Sequence, residues 1–188
     1  MTSEKDTAVA DSTVSELAAW CERALELGAE AARPLAPQLV VTADWVRLKC
    51  QFGCDGYGSC RTCPPHSPAP EQTRRLLNGF SRAILLRVGP HTGASGGYSG
   101  TLRKAAAGLE RELFLAGHYK AWAMGNGPCE ICATCDTATP CVDPEHARPS
   151  MEACGIDVFA TVRNAGWEIE VVADREDRYR FFALVLVD

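Results

Sequence analysis

No apolar run in the 188-residue chain is longer than the seven residues Phe181 to Val187, whereas a helix crossing a bilayer needs about 20. A membrane-spanning helix is excluded. The amino end, Met1 to Thr7, is polar and has neither the basic start nor the apolar stretch of a secretory signal, so a cytoplasmic location is expected. A basic surplus is also missing: 19 Lys and Arg stand against 24 Asp and Glu, a net charge of −5. That balance speaks against a nucleic-acid backbone or an anionic membrane as partner. Only four histidines occur, and none opens an H-x-E triplet. Pro128-Cys129-x-x-Cys132 is therefore half of a zinc deaminase signature without its general acid/base or its third ligand. No repeat of fixed period is present.

What the chain has in excess is cysteine, ten in all. A domain of this length buries about two thirds of its unfolded surface and needs no cross-link merely to fold. In a reducing compartment thiols so densely placed point to metal binding or redox chemistry, not to a disulfide framework.

The spacing predicts a flexible tail over 1–12 and a single α/β metal-binding domain over 13–188. Val14, Leu17, Ala18, Cys21, Leu25 and Ala29 recur with helical period, predicting a helix over 13–32 that closes before Pro34. Strands are expected at 39–42, 83–88, 119–124, 167–172 and 179–187. Further helices are expected at 71–77, 102–114 and 157–165, the last ended by Gly166. Strands alternating with helices suggest a mixed, mostly parallel sheet with flanking helices. Two Cys-rich loops, about 50–70 and 125–149, leave this body and are too rich in Gly, Pro and Ser for regular structure.

The first loop carries Cys50-x3-Cys54-x5-Cys60-x2-Cys63 followed by Pro64-Pro65, and the second carries Cys129-x2-Cys132-x2-Cys135-x5-Cys141. Four thiolates within a dozen residues can surround one centre. Structural zinc usually takes two separated C-x2-C pairs, and neither set has that form. Three cysteines at successive two-residue gaps wrap something larger than an ion, as in the C-x2-C-x2-C run of bacterial ferredoxins. The second set begins with that run but places its fourth cysteine after five residues, without the proline. The expectation is two [4Fe–4S]-type clusters, one per set, with zinc as the alternative and a Cys60-Arg-Thr-Cys63 redox dithiol ranked below both.

Tyr57-Gly58, Cys63-Pro64-Pro65, Gly117-His-Tyr-Lys-Ala121, Gly127-Pro-Cys129 with Cys132 and Cys135, and Ala147-Arg-Pro-Ser-Met-Glu152 leading to Gly155-Ile-Asp-Val158 occur in this order. In these stretches the chain resembles the cysteine-rich predicted metal-binding proteins of bacteria and archaea, a domain family of unassigned function. The resemblance implies metal binding through the eight loop cysteines and supplies no substrate.

Other residues have a plain reading beside a functional one. Cys21 fits a buried helix face, and Cys154 either packs or replaces one ligand of the second set. The four histidines, His66, His91, His118 and His146, could each stand in for a thiolate, and His66 and His146, in or beside the loops, could instead donate to a cluster sulfur; the plain reading of each is an ordinary surface or loop histidine. Lys49, Arg61 and Lys120 either offset the charge of a reduced cluster or are solvated. The stretch Gly89–Gly100, with five glycines, matches no phosphate-loop motif and reads as a connection or lid. Asp174 to Arg178 reads as a hairpin tip. Together these features suggest two clusters passing electrons to a redox partner protein. An enzyme with a substrate-accessible cluster iron and a zinc-stapled binding module are the alternatives.

Overall fold

The computed structural model describes residues 4–92, 98–174 and 176–188. Its helices are α1 (Glu4–Glu26), α2 (Asp44–Gly53), α3 (Pro70–Leu77), α4 (Tyr98–Leu115) and α5 (Val158–Asn164). Its strands are β1 (Ala31–Leu35), β2 (Ala83–His91), β3 (Trp122–Met124) and β4 (Tyr179–Leu186). The strands form one sheet in the order β1-β2-β4-β3, and every neighbouring pair is antiparallel.

The mostly parallel sheet expected from the alternation of elements is therefore wrong. Ile84, Leu86 and Val88 of β2 and Ala183 and Val185 of β4 pack with α1 and α4 on one face. Ala83 and Leu85, with Phe182, Leu184 and Leu186, pack on the other face with Leu77, Met151, Ile156 and Val162. Strands covered on both faces read as unbroken apolar runs whatever their direction, so the run alone carried no information about polarity.

Three elements differ from expectation. Helix α1 starts at Glu4 and stops at Glu26 instead of covering 13–32. Gly28, at φ 112°, turns the chain so that Ala31–Leu35 becomes an edge strand on β2. An edge position tolerates Pro34 because one side of the strand needs no N–H. Residues 39–42 are not a strand: Pro37–Leu39 is a 3-10 turn, and Thr42 forms only an isolated bridge to Ile156.

Residues 167–172 are not a strand either. Trp167 is held between the guanidinium groups of Arg33 and Arg87, each 5.1 Å from its ring centre, and cation–π stacking fixes this segment instead of a ladder. Asp174 accepts from the amides of Glu176 and Asp177, but the turn leads out of irregular chain, so it is no hairpin tip. The middle of the Gly89–Gly100 stretch, residues 93–97, lies outside the described residues, and its lid reading with it. None of the described helices is long and apolar enough to cross a membrane.

Both cysteine loops leave this body as irregular chain. The first leaves the end of α2, and the second leaves β3 and returns at Ser150. The stem of the second loop is closed where Gly125 donates to the Pro149 carbonyl (2.8 Å) and Met151 donates to that of Gly125 (3.0 Å).

Candidate metal centre

The two loops are built differently. In the first, the last turns of α2 present Cys50, and tight turns space the other three cysteines. Tyr57 donates to the Cys54 carbonyl (3.2 Å), Cys63 to that of Cys60 (3.0 Å) and His66 to that of Cys63 (2.9 Å). Gly58, at φ 73°, donates to Pro64 (2.7 Å), closing the loop on itself.

Beyond the stem bond of Gly125 to Pro149, the described residues of the second loop show one main-chain bond, Ala147 to Asp143 (3.1 Å). Buried or half-buried main-chain groups must find partners, and here three arginines supply them. Arg61 of the first loop donates to the carbonyls of Thr137 (2.8 Å) and Thr139. Arg103 of α4 reaches Glu130 (2.6 Å) and the Asn126 carbonyl (3.3 Å). Arg148 forms a two-pronged pair with Glu110 of α4 (2.6 and 2.7 Å), and Glu110 also accepts from the Ala123 amide (2.7 Å).

The eight loop cysteines face two small cavities that do not follow the two sequence sets. Cys50, Cys54 and Cys63 line a cavity of about 120 Å³ together with Gly56, Gly127 and Glu152. Cys60 lines a second cavity, of about 20 Å³, with Cys129, Cys132, Cys135 and Cys141. By cavity the eight thiols group three and five, not four and four by loop: Cys60 faces the opposite loop while its side chain still hydrogen-bonds Cys63.

The C-x2-C-x2-C run did not signal this: in ferredoxins the cysteine after such a run serves the other centre, whereas here Cys141 stays at the cavity of its own run and Cys60 joins it. At Gly56 an added Cβ would point at the Cys54 and Cys63 sulfurs, 3.4 and 3.6 Å away, so the missing side chain keeps the space between them open.

Electrostatics mark Cys60 as the junction. Burial works against its ionisation, but hydrogen bonds from the Thr62 hydroxyl and amide and from Cys135 outweigh it and hold this thiol below the ordinary range. Burial, with the neighbouring Cys60, pushes Cys63 up to about 12. Cys50 and Cys129 are also raised, chiefly by burial. Glu152 keeps solvent contact through the adjoining pocket, while the protein around its other sides pushes its carboxyl above the usual range.

The remaining candidates lie elsewhere. Cys21 is in the core between α1, α4 and the sheet, and Cys154 is in the opposite core, 1% exposed. Neither lines a thiol cavity, so the ligand reading of Cys154 has no geometric support. His66 is exposed, and His146 is paired with Asp143 (2.8 Å). His91 is bonded to Glu30 (2.7 Å), and His118 lies between Glu16 and Asp188. Among the described residues no histidine lines either thiol cavity. Lys49 stacks on Trp45, and Lys120 caps Gly79 and stacks on Phe80.

No group of three or more His, Cys, Asp or Glu among the described residues converges to hold a single ion. The sulfurs spread around cavity walls, and metal–sulfur bonds of about 2.3 Å are much shorter than van der Waals contacts, so a thiolate-bound centre occupies room that a water-sized void understates. A soft, thiophilic metal is what this donor set suits. A family model described as predicted metal-binding protein (DUF2284) matches residues 33–187. No curated protein and no solved structure matches the chain.

Proposed function

We propose that this chain, which belongs to the predicted metal-binding protein family, holds two iron–sulfur clusters and passes electrons between them and a redox partner protein. The observation that carries the reading is the division of Cys60 and Cys63. They are three positions apart yet line different cavities, so their Cα atoms are at most about 11 Å apart.

A bound cluster would supply the one-electron couple. The chain's own residues ligate, bury and space the centres. Cys50, Cys54 and Cys63 would hold one. Cys60 with Cys129, Cys132 and Cys135 would hold the other, with Cys141 as a further thiolate at the same cavity. Arg61, Arg103 and Arg148 pin the second loop around its centre. Thiols arranged around a cavity instead of converging on one point favour a multi-atom centre over a zinc ion.

One observation favours a second reading, an enzyme acting at the three-thiol centre. That cavity shares Cys50, Cys54 and Glu152 with a much larger pocket of about 560 Å³, so a metal atom left without a thiolate there would face room for a substrate.

Protein purified without oxygen is expected to be brown and to carry about eight iron and eight sulfide per chain, as two cubanes require. Colourless protein with stoichiometric zinc and no acid-labile sulfide would replace both readings with a zinc-stapled module.

A further inference from the structure

The pocket that adjoins Cys50 and Cys54 has the volume of a small-molecule site. Its walls are largely apolar, with Val158, Phe159, Ile169, Phe181 and Phe182 among them. Five charged groups face it: Lys49, Arg178 and Arg180, and against them Glu152 and Glu170. Glu152 belongs to the cysteine end, its carbonyl oxygen 4.0 Å from the Cys50 sulfur. Lys49 is stacked on Trp45, and Glu170 is solvent-exposed.

The arginines are the unbalanced feature. Among the described residues no carboxylate pairs with Arg178 or Arg180. The Arg180 Nε is buried without a partner, and so is the Nε of Arg87 behind it. The two guanidinium groups are close enough for Arg180 to oppose the charge on Arg87, which burial disfavours first. Glu30, which offsets part of the Arg87 charge, is already engaged by the Gly89 amide and His91.

Asn126, only 3% exposed, also lines the pocket. Its Nδ2 donates to Ser99 (2.8 Å), but its carboxamide oxygen accepts nothing. A buried donor left unpaired, as at the Arg180 Nε, costs free energy that an accepting ligand can recover, whereas the Asn126 oxygen can pair only with a donor on the ligand. Adjacent unpaired guanidinium groups specify that ligand's charge.

We propose that this pocket binds an organic anion with an apolar body, its charged end on Arg180 and Arg178, its body along Phe159 and Phe181, and its far end at Cys50 and Cys54. As a substrate site this rests on the reading of an enzyme acting at the three-thiol centre; as a binding site it rests on the pocket alone.

The test is calorimetric titration of the protein, as purified with its metal, with 2-naphthoate and with the isosteric neutral 2-naphthamide. The carboxylate should bind about tenfold or more tighter, as charge-assisted hydrogen bonds give. Arg180→Gln should bring the two within about twofold, and exposed Arg178→Gln should cut the preference about threefold, with metal content unchanged in both. The preference should also shrink as salt rises from about 50 to 500 mM. Equal affinity for the two probes, binding of neither at millimolar concentration, or a preference that survives both substitutions would overturn the proposal. If analysis finds zinc and no iron while the carboxylate preference persists, the cluster reading fails and the anion site stands.

Discussion

Cys60 and Cys63 are successive thiols of one loop, yet the first lines a cavity with Cys129, Cys132, Cys135 and Cys141, and the second lines a cavity with Cys50 and Cys54. This crossing makes a prediction that ligation by separate loops does not. Cys60→Ala should remove about half of the bound iron, from the same centre as Cys132→Ala, and Cys63→Ala should remove the other half with Cys54→Ala. The double variant Cys60→Ala/Cys132→Ala should lose little more than either single one, whereas Cys60→Ala/Cys63→Ala should lose nearly all. Iron analysis with electron paramagnetic resonance of the reduced protein separates the outcomes. If Cys60→Ala instead empties the centre held by Cys54, each loop serves its own metal.

The Glu110–Arg148 pair is the main strut between α4 and the second loop. Its side chains are 11% and 16% exposed, and Glu110 also holds the Ala123 amide of β3. Removing one member leaves a guanidinium and an amide without their acceptor in a nearly dry setting. Glu110→Ala should therefore cost about 3 kcal/mol of stability. A urea midpoint displaced by that amount at unchanged slope would confirm it, and a displacement below about 1 kcal/mol would show the strut to be dispensable.

Much of the secondary structure was legible where one local rule acted alone. The α5 helix begins at Asp157, whose side chain accepts from the Ala160 amide (2.9 Å), and the Asp-to-Gly166 bracket announces it. The buried strands β2 and β4 were equally plain. The sheet's direction was not, since Leu85 and Leu86 face opposite covered sides and would do so in a parallel sheet too. Edge strand β1 was hidden by Arg33-Pro34, which reads as a break until its neighbour is known. The thiols were identifiable as a set of eight, but the partition was not, because the turn that aims Cys60 at the other loop depends on tertiary contacts such as those of Arg61 with Thr137 and Thr139.

Acid should weaken the corner where the end of β4 meets α1. Arg82 holds the Asp188 carboxyl at about 2, and hydrogen bonds from His118 and Ser81 assist. A carboxylate whose folded value is depressed stabilises the fold above its unfolded value, and that contribution is lost as pH falls through the folded value. At neutral pH the Asp188 side chain should be worth about 1 to 2 kcal/mol after allowance for its partial exposure. Asp188→Asn should show this deficit at pH 7. The gap from the natural protein should narrow as pH drops from about 4 toward 2, as followed by urea unfolding. A gap independent of pH would mean that packing, not charge, is lost.

The two cysteines outside the loops should behave as hydrocarbons. Burial pushes Cys21 up to about 11 and Cys154 up to about 12, so neither is a thiolate at pH 8, and nucleophilic reaction needs the thiolate. Cys21 packs beside Leu17 and Ala24, and Cys154 beside Met151 and Ile156. Cys21→Ala and Cys154→Ala should each retain full metal and cost about 1 kcal/mol through the small void left behind. Iodoacetamide added to the folded protein at pH 8 should leave both unmodified, as peptide mass mapping would read, and label them only after unfolding. Loss of half the metal in Cys154→Ala would return that thiol to the ligand set, because a purely packed sulfur 1% exposed has no route to the centres.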